Sequence, residues 1–525
     1  MKRVWALILT AVMILSLAAC GSSGNSGTGG AGSSAQGGTE ETSSVSPELL
    51  KFALPGEPDG IYGPNVAYSL INGEVGLCVF DNLVEYDSDT QSIVPMMAES
   101  WEQPDAKTVI FHLRDDIYSA AGTHFTANDV LYNLSVGASM PTLGLYFQYF
   151  DLENSYAEDD YTVVIKLLTD YSTIVTTMSY SCFGMACKAD VEAAGGPEAF
   201  SKNPVATGKY NLESWTSGSQ MVLTKNENYY GEPAYFNKIE LYFIPDTASR
   251  VIALQSHDVD ATISLTAADK EVIDAEDNLS IMLVPGTTKI LFFNFQNSYL
   301  ANEKVRKALC YAIDKESVIQ RVYSGIGTPN DNFFDMDNPY FTEPGGAQTY
   351  TYDIEKAKAL LAEAGYPDGF DLSISVIQYQ DLIDDAKVLQ DCFAKIGVNL
   401  TIDTRDSGSF FSDMYSGNFD CFVIGASGVD PYTHVSYFNP DKALQEGNFL
   451  NYTSEAMSPL IAAARAEIDE AARKEAYAAM QEQLIKEAAA AGICDTPDVH
   501  AIRSDLTGKN EPMGALLIPS IKPAK

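Results

Sequence analysis

The chain has 525 residues, of which 33 are lysine or arginine and 71 are aspartate or glutamate, and its formal net charge is −38. A strongly acidic surface repels nucleic acid and anionic lipid headgroups, so neither is expected as a partner held by charge. The chain is also too long for one hydrophobic core, and at least two lobes are expected. The charge is typical of a protein that stays soluble outside the cell, and a cationic ligand does not follow from it.

Residues 1–19 have the three parts of a secretory signal peptide. Lys2 and Arg3 form the positive region, Val4 to Leu15 form an apolar stretch, and small residues precede Cys20. The apolar stretch is shorter than the ~20 residues that cross a bilayer. LAAC at positions 17–20 resembles a bacterial lipobox, in which the cysteine is lipidated and becomes the mature N-terminus. The alternative is an ordinary signal peptide beside an unrelated cysteine.

Residues 20–46 are mostly glycine, serine, threonine and other small residues. Such a segment cannot bury apolar surface and is expected to remain disordered. It would act as a lipid-anchored tether with an end-to-end distance of roughly 28 Å. The sequence therefore predicts a protein held at the outer face of the cytoplasmic membrane through lipid alone.

Seven cysteines follow Cys20 at scattered spacings, with no C-x-x-C pair and no cysteine–histidine cluster. This pattern does not indicate a zinc site. Most of these cysteines have apolar neighbours in the sequence and are predicted to be small buried hydrophobic residues. A disulfide between Cys182 and Cys187 is the alternative for that pair.

Strand-like and helical patterns alternate after residue 46, as in α/β lobes. Residues 107–113 and 161–168 are rich in β-branched residues, which favours strands. Helical periodicity runs through residues 302–322, with Asn302 as the expected N-cap. Asp353 is expected to cap a further helix that stops at Gly365.

An alanine- and glutamate-rich run over residues 454–491 predicts one long helix near the end of the chain. Gly492 follows this run directly. Because glycine is frequent just beyond helix C-termini, Gly492 is the expected stop.

A secreted hydrolase is the main competing class, and the sequence offers no support for it. There is no G-x-S-x-G nucleophile motif and no H-E-x-x-H zinc helix. The five histidines are dispersed, and none lies beside a plausible nucleophile. We therefore predict that the protein is not an enzyme and needs no cofactor or metal.

Eight segments occur in the same order as in one known family. They are LVEYD (83–87), VPMMAESWE (94–102), FHLRDDIYSAAGTHFTANDV (111–130), NPVATGKYNLESW (203–215), KNENYYG (225–231), ALQSHDVDA (253–261), FNFQNSYLANEKVRKALCYAIDKESVI (293–319) and YDIEKAKALLAEAGYPDGF (352–370). Together they resemble solute-binding protein family 5, the substrate-binding lipoproteins of oligopeptide, dipeptide and nickel ABC importers.

The resemblance implies an α/β, two-lobed fold of the periplasmic-binding-protein type, with an extra subdomain in the first lobe. The expected bounds are 47–79, 179–296 and 494–525 for the core of lobe I, 80–178 for the extra subdomain, and 297–493 for lobe II. The chain would cross between the lobes near Asn297 and return near Ile493. Ligand would be buried between the lobes when they close, as in other hinged proteins.

In peptide-binding members, an aspartate after a G-W-x-x-D-like stretch holds the free α-amine of the ligand. The matching region here is residues 419–438, where Ala426 replaces the tryptophan and the following loop is short. Asp430 is therefore either the amine-binding aspartate or the aspartate of a downstream D-P pair. In the second case Ser427 occupies the amine position. Asp430 could also simply begin a turn with Pro431.

Aromatic residues are the other ligand-binding candidates. Tyr432 is a candidate cleft wall, and Phe333 and Phe334 lie in the loop 325–339, where the family presents another cleft segment. The phenylalanine pair either lines the pocket or packs down on the core.

A short peptide is the expected ligand, with an ABC permease and its ATPase as partners and a monomer as the expected state. An oligosaccharide, a nickel chelate or a signalling peptide received without transport is the alternative.

Overall fold

A computed structural model describes residues 45–524, except 344–348, 433–435, 443–447, 511–513 and 515. The predicted signal peptide, Cys20 and almost all of the predicted tether lie outside the described residues. Within the described ranges, no helix is both long and apolar enough to cross a lipid bilayer.

The strands follow one another along the chain with these bounds: β1 (Leu50–Leu54), β2 (Val84–Asp87), β3 (Ser92–Pro95), β4 (Ala98–Asp105), β5 (Thr108–Leu113), β6 (Phe150–Ala157), β7 (Thr162–Leu167), β8 (Tyr210–Thr216), β9 (Gln220–Lys225), β10 (Lys238–Phe243), β11 (Ala261–Leu265), β12 (Leu279–Phe293), β13 (Thr328–Pro329), β14 (Phe370–Ile377), β15 (Val398–Arg405), β16 (Cys421–Ala426), β17 (Ala490–Arg503), β18 (Leu506–Asn510) and β19 (Leu516–Pro523).

The α-helices have these bounds: α1 (Leu70–Val79), α2 (Ala127–Ser139), α3 (Gly144–Phe147), α4 (Ile174–Thr177), α5 (Lys188–Ala193), α6 (Pro197–Lys202), α7 (Thr247–Gln255), α8 (Ala267–Ile273), α9 (Glu303–Ala312), α10 (Lys315–Val322), α11 (Ile354–Glu363), α12 (Gln380–Ala394), α13 (Ser407–Ser416), α14 (Met457–Ala466) and α15 (Glu470–Lys486). Short 3₁₀ turns occur at Gly63–Asn65, Pro141–Leu143, Ser181–Phe183 and Ser436–Phe438.

One large mixed sheet runs through the molecule in the order β15-β14-β16-β12-β17-β11-β1-β10-β9-β8, and β13 pairs with β17. A separate antiparallel sheet has the order β4-β5-β7-β6, and β2–β3 and β18–β19 form two hairpins. Strands β5 and β7 confirm the two strands predicted from β-branched residues. Along the chain, the four strands of this separate sheet come after β1 and before β8, so they interrupt the sequence of the large sheet.

Strands β12 and β17 form an antiparallel ribbon at the centre of the large sheet, paired from Leu279 opposite Arg503 to Phe292 opposite Ala490. The end of β12 also pairs with β16, and the end of β17 pairs with β11. This ribbon therefore connects the two flanks of the sheet, and its register shifts between Val284 and Thr287.

The helix predicted over residues 302–322 is two helices, α9 and α10. Asn302 caps the first as predicted, because its side chain accepts a hydrogen bond from the backbone N–H of Lys304. The backbone becomes extended at Ile313, and the side chain of Asp314 then accepts from the N–H of Ser317. An aspartate that caps a new helix N-terminus in this way ends the preceding helix.

The prediction of one long helix over residues 454–491 is also wrong. This segment divides into α14 and α15, where the Asp469 side chain accepts from the N–H of Ala472 and begins α15. The last alanines belong to β17, a buried strand. Gly492 lies within that strand, and a Cβ there would lie 2.5 Å from the carbonyl oxygen of Asn332. The close approach of this neighbouring backbone requires glycine at position 492, and Gly492 does not mark the end of a helix as predicted.

The remaining local predictions hold. Asp353 caps α11, and Gly365 follows that helix with φ of +92°, the left-handed conformation typical of a helix C-terminus. All seven cysteines from Cys78 to Cys494 are buried, and Cys182 and Cys187 are not joined by a disulfide.

Candidate ligand-binding site

Asp430 lies in the loop that follows β16, and its side chain is completely buried. Its carboxylate accepts hydrogen bonds from the hydroxyls of Tyr171, Thr173 and Thr177. The two threonine bonds are 2.7 Å long. Thr173 is the N-cap of the short helix α4 and Thr177 is its last residue, so one helical turn places both hydroxyls on the same face.

Two further hydrogen bonds fix the backbone of this loop. The N–H of Asp430 donates to the Tyr180 hydroxyl at 2.9 Å, and the N–H of Tyr432 donates to a carboxylate oxygen of Asp430 at 3.1 Å. The chain segment 171–180 is thereby joined to the loop after β16, about 250 positions away in the sequence. Burial raises the pKa of the Asp430 carboxyl, and the hydroxyl donors oppose this shift by stabilising the ionised form.

Tyr432 is 4% exposed and packs edge-on against two tyrosines of the other segment. Its ring centroid lies 5.1 Å from that of Tyr171 and 5.9 Å from that of Tyr149. The guanidinium of Arg465 lies over the Tyr432 ring at 4.6 Å, and its Nε donates to the carbonyl of Asp170. An aromatic and hydroxyl-rich interface therefore surrounds Asp430.

A cavity of about 290 Å³ adjoins this network, and it is called the Trp101 cavity below. Its walls come from two widely separated parts of the chain: Tyr86, Gln91, Ser92, Ile93, Trp101, Gln103, Ser172, Val175 and Thr176 from the first, and Pro339, Tyr340, Val429, Glu470 and Arg473 from the second. Ser172, Thr176 and Val429 are sequence neighbours of the groups that surround Asp430. Asp430 itself is not a lining residue, and it directly follows Val429, which is one.

Arg473 supplies a positive charge to this wall. Its Nε donates to the Tyr340 hydroxyl at 2.9 Å, and its Nη1 donates to the carbonyls of Ile468 and Glu467. Among the described residues, no carboxylate lies within ion-pair distance of Arg473, whereas Glu470 on the same wall pairs with Lys474 at 2.9 Å. The orientation of the guanidinium is thus fixed by neutral acceptors.

The other residues predicted for the site lie in different surroundings. Phe333 and Phe334 are 1% and 0% exposed, and they pack against Phe438 and Tyr477 in the core without lining the Trp101 cavity. The end of the same loop does reach the cavity, through Pro339. Ser427 is half-buried immediately after β16.

Comparison with known proteins decides the family. The model of the bacterial extracellular solute-binding proteins, family 5 Middle, matches residues 92–446. The chain belongs to solute-binding family 5.

Named relatives of this family 5 protein differ in ligand. The dipeptide-binding protein of Escherichia coli is 26% identical over 498 residues, which cover 89% of this chain and 92% of the relative. Heme-binding protein A of Haemophilus influenzae is 26% identical over 414 residues, which cover 73% of this chain and 75% of the relative.

The solved structure of the periplasmic binding protein DppA from Helicobacter pylori, in complex with the peptide STSA, has the same two-lobed fold. It superposes with a TM-score of 0.76 at 23% identity and covers 91% of this chain and 98% of that chain. The predicted α/β class and the family are therefore confirmed, and the protein binds a solute outside the cytoplasm.

Several residues at the site of this family 5 protein were not predicted from its sequence. The hydroxyl donors Tyr171, Thr173 and Thr177 belong to the run DYSTIVTTMSYS, whose density of hydroxyl side chains was an available signal. Trp101 is half-buried against the core and also lines the cavity. Arg473 gave no sequence signal within its surface-like helix. In the described part of the chain, no group of three His, Cys, Asp or Glu side chains is arranged to hold a metal.

Proposed function

We propose that this protein is the lipid-anchored binding component of an ABC importer, that it captures a short peptide between its lobes, and that it delivers the peptide unchanged to a membrane permease driven by an ATPase. Cys20 would carry the lipid, and residues 20–46 would be the tether. The proposed lobe bounds are those of the sequence analysis: 47–79, 179–296 and 494–525, with 80–178 as the extra subdomain, and 297–493.

The observation that carries this proposal is the Trp101 cavity beside Asp430. Its walls combine residues 86–103 and 172–176 with residues 339–340, 429 and 470–473. A site assembled from two distant segments forms only when those segments meet, as required for capture by closure. The volume of about 290 Å³ is at the small end of the ~300–1,000 Å³ typical of ligand pockets, which favours a short peptide over a large ligand.

The charges at this site suit the two ends of a peptide. Asp430 offers a carboxylate to an ammonium group, and a charge-assisted hydrogen bond in a dry site is a strong one. In this structure the hydroxyls of Thr173 and Thr177 occupy acceptor positions of this carboxylate. We infer that an incoming amine takes over one of these positions while the lobes are open. Arg473 offers a guanidinium to the C-terminal carboxylate, and Trp101 and Tyr340 offer apolar walls to side chains.

A thermal-shift and calorimetry screen tests this function. The panel would contain di- to pentapeptides with free ends, the same peptides N-acetylated or C-amidated, nickel-histidine, heme and oligosaccharides. Free peptides are expected to raise the melting temperature, since saturation at ~100 times Kd adds about 2.7 kcal/mol of stability. Stabilisation only by sugars, heme or the nickel complex would contradict the peptide ligand. Release of peptide fragments by the pure protein would contradict a purely binding role.

A further inference from the structure

A second cavity, of about 560 Å³, adjoins the Trp101 cavity and is called the Lys509 cavity below. Part of its wall comes from the C-terminal hairpin β18–β19, and another part comes from residues 232–235. Tyr86 is the only described residue that lines both cavities. The two spaces therefore meet at this residue.

The two strands of the hairpin β2–β3 line different cavities. Val84 and Glu85 of β2 line the Lys509 cavity. Ser92 and Ile93 of β3 line the Trp101 cavity. Tyr86 follows Glu85 in β2 and pairs with Ile93 of β3. Tyr86 is thus placed where the wall of one cavity passes into the wall of the other.

The Tyr86 side chain is packed at this boundary. It is 8% exposed and belongs to the hydrophobic core. Burial raises the pKa of its phenol to about 12, and the negative charges of Asp335 and Asp337 add to this shift. Both aspartates belong to the loop 325–339, which reaches the Trp101 cavity through Pro339. The phenol therefore lies near the second of the two chain segments that form the Trp101 cavity.

The boundary at Tyr86 decides how much space one ligand can occupy. The Trp101 cavity, of about 290 Å³, is smaller than most ligand pockets, which have volumes of ~300–1,000 Å³. The Lys509 cavity, of about 560 Å³, would bring the joined space well within that range. Because a tyrosine ring is among the largest side chains, we expect its truncation to a methyl group to open one cavity into the other.

We propose that Tyr86 is a specificity-determining residue, which limits the length of the bound peptide by closing the Trp101 cavity on the side of the Lys509 cavity. This inference rests on the peptide function proposed above and adds the length of the ligand to it. A short peptide remains on the Trp101 side of the ring, whereas a longer one would have to place residues where the ring lies. Such an overlap is unfavourable, because packed protein interiors have little free volume. The ring itself fills the space, so the hydroxyl is not needed for this role.

Calorimetric titration of the full chain in detergent with tri-alanine and hexa-alanine tests this limit, because the two probes differ in length alone. The natural protein should bind tri-alanine about tenfold or more tightly than hexa-alanine. Tyr86→Ala should bind hexa-alanine about tenfold or more tightly than the natural protein does, a gain that a folding defect would not produce. Tyr86→Phe retains the ring and should retain the preference for the shorter peptide.

Tyr235→Ala is the matched control. Tyr235 lines the Lys509 cavity alone, so its truncation enlarges that cavity but leaves the boundary at Tyr86 in place, and hexa-alanine should bind no better. The length limit is overturned if the natural protein binds hexa-alanine as tightly as tri-alanine, or if Tyr86→Ala gains no affinity for hexa-alanine. An equal gain in Tyr235→Ala would also overturn it. Failure of both peptides to bind any of these proteins would instead overturn the peptide function, and the length limit with it.

Discussion

The ammonium of Lys289 lies 3.0 Å from a carboxylate oxygen of Asp381 and so joins the central strand β12 to helix α12. The lysine side chain is 8% exposed, and one helical turn beyond Asp381 lies Asp385, which is fully buried. The Tyr323 hydroxyl donates to Asp385 Oδ2 at 2.7 Å, whereas Asp385 Oδ1 has no hydrogen-bond partner in the described part of the chain. The Lys289 ammonium therefore interacts with three carboxyls, because Asp498 of the paired strand β17 also acts on it.

Replacement of Asp385 by asparagine should change the pH dependence of stability. Burial raises the pKa of Asp385 to about 7, against the opposing charge of Lys289. Between about pH 4 and 7 the folded state holds a proton that the unfolded state has released, so this carboxyl makes stability fall as pH rises. The slope reaches about 1.4 kcal/mol per pH unit for one group. Asp385→Asn removes this contribution. The variant should therefore melt at a higher temperature than the natural protein, and the difference should grow as the pH is raised from 4.5 to 7.5.

Asp384→Asn is the matched control for that measurement. Asp384 is the preceding residue of α12, but it pairs with Lys387 at 2.8 Å near the surface. Its replacement should not remove the fall in stability between pH 4.5 and 7.5. Parallel pH profiles of the natural protein and Asp385→Asn would show that Asp385 does not titrate in this window.

Asp430→Asn should separate the charge of the proposed amine site from its shape. The asparagine keeps one carbonyl oxygen, which can still accept from Tyr171 and Thr177. It replaces the other oxygen, the acceptor for Thr173, with an amide NH₂ group, and it cannot neutralise an ammonium. Affinity for peptides with a free amine should fall by roughly 1.5–3 kcal/mol, the contribution of a hydrogen bond to a charged group. N-acetylated peptides should bind both proteins equally weakly. If calorimetry gave the two proteins equal affinity for peptides with a free amine, Asp430 would not bind the amine. Its role would then be structural, to join segment 171–180 to the loop after β16.

Arg473→Gln tests the other end of the proposed peptide. The variant retains a polar side chain near Tyr340 but loses the only charge on this wall that has no carboxylate partner among the described residues. Affinity for peptides with a free C-terminus should fall about tenfold, and C-amidated peptides should show little change. Lys474→Gln on the same helix, whose ammonium already pairs with Glu470, should bind like the natural protein. An identical loss with amidated and free peptides would assign Arg473 a structural role.

Local signals predicted much of the fold, and long-range contacts account for what was missed. Asn302 and Asp353 cap helices as their side chains indicate, because capping depends on backbone groups only two or three positions away. Asp314 and Asp469 are helix-capping residues of the same kind. They were not recognised as helix starts because the helical periodicity continues on both sides of each. The Asp430 loop was found through family resemblance. Its hydroxyl partners lie more than 250 residues earlier, and no periodicity or spacing relates the two segments.

Cys20→Ala should release the protein from the membrane. Each buried CH₂ of an acyl chain contributes about 0.8 kcal/mol to membrane binding, and without lipid the acidic body has no attraction to anionic headgroups. Membrane and soluble fractions of cells that express the natural protein, Cys20→Ala and the neighbouring control Ser22→Ala would be compared by immunoblot. The natural protein and Ser22→Ala should sediment with membranes. A natural protein found in the soluble fraction would support an ordinary signal peptide instead.

Gly286→Ala should strain the ribbon that connects the two flanks of the large sheet. Gly286 lies at the register shift of β12, and a Cβ at this position would be 2.2 Å from the carbonyl oxygen of Thr496 and 2.7 Å from the backbone nitrogen of Asp498. Both atoms belong to the paired strand, so the ribbon itself must move, at a cost of roughly 2–4 kcal/mol. A lower melting temperature and altered peptide affinity are expected. Gly144→Ala is the control, because a Cβ there meets nothing within 4 Å. Equal melting temperatures of the two variants would show that the ribbon accommodates the methyl group. Glycine would then not be required at the register shift of β12.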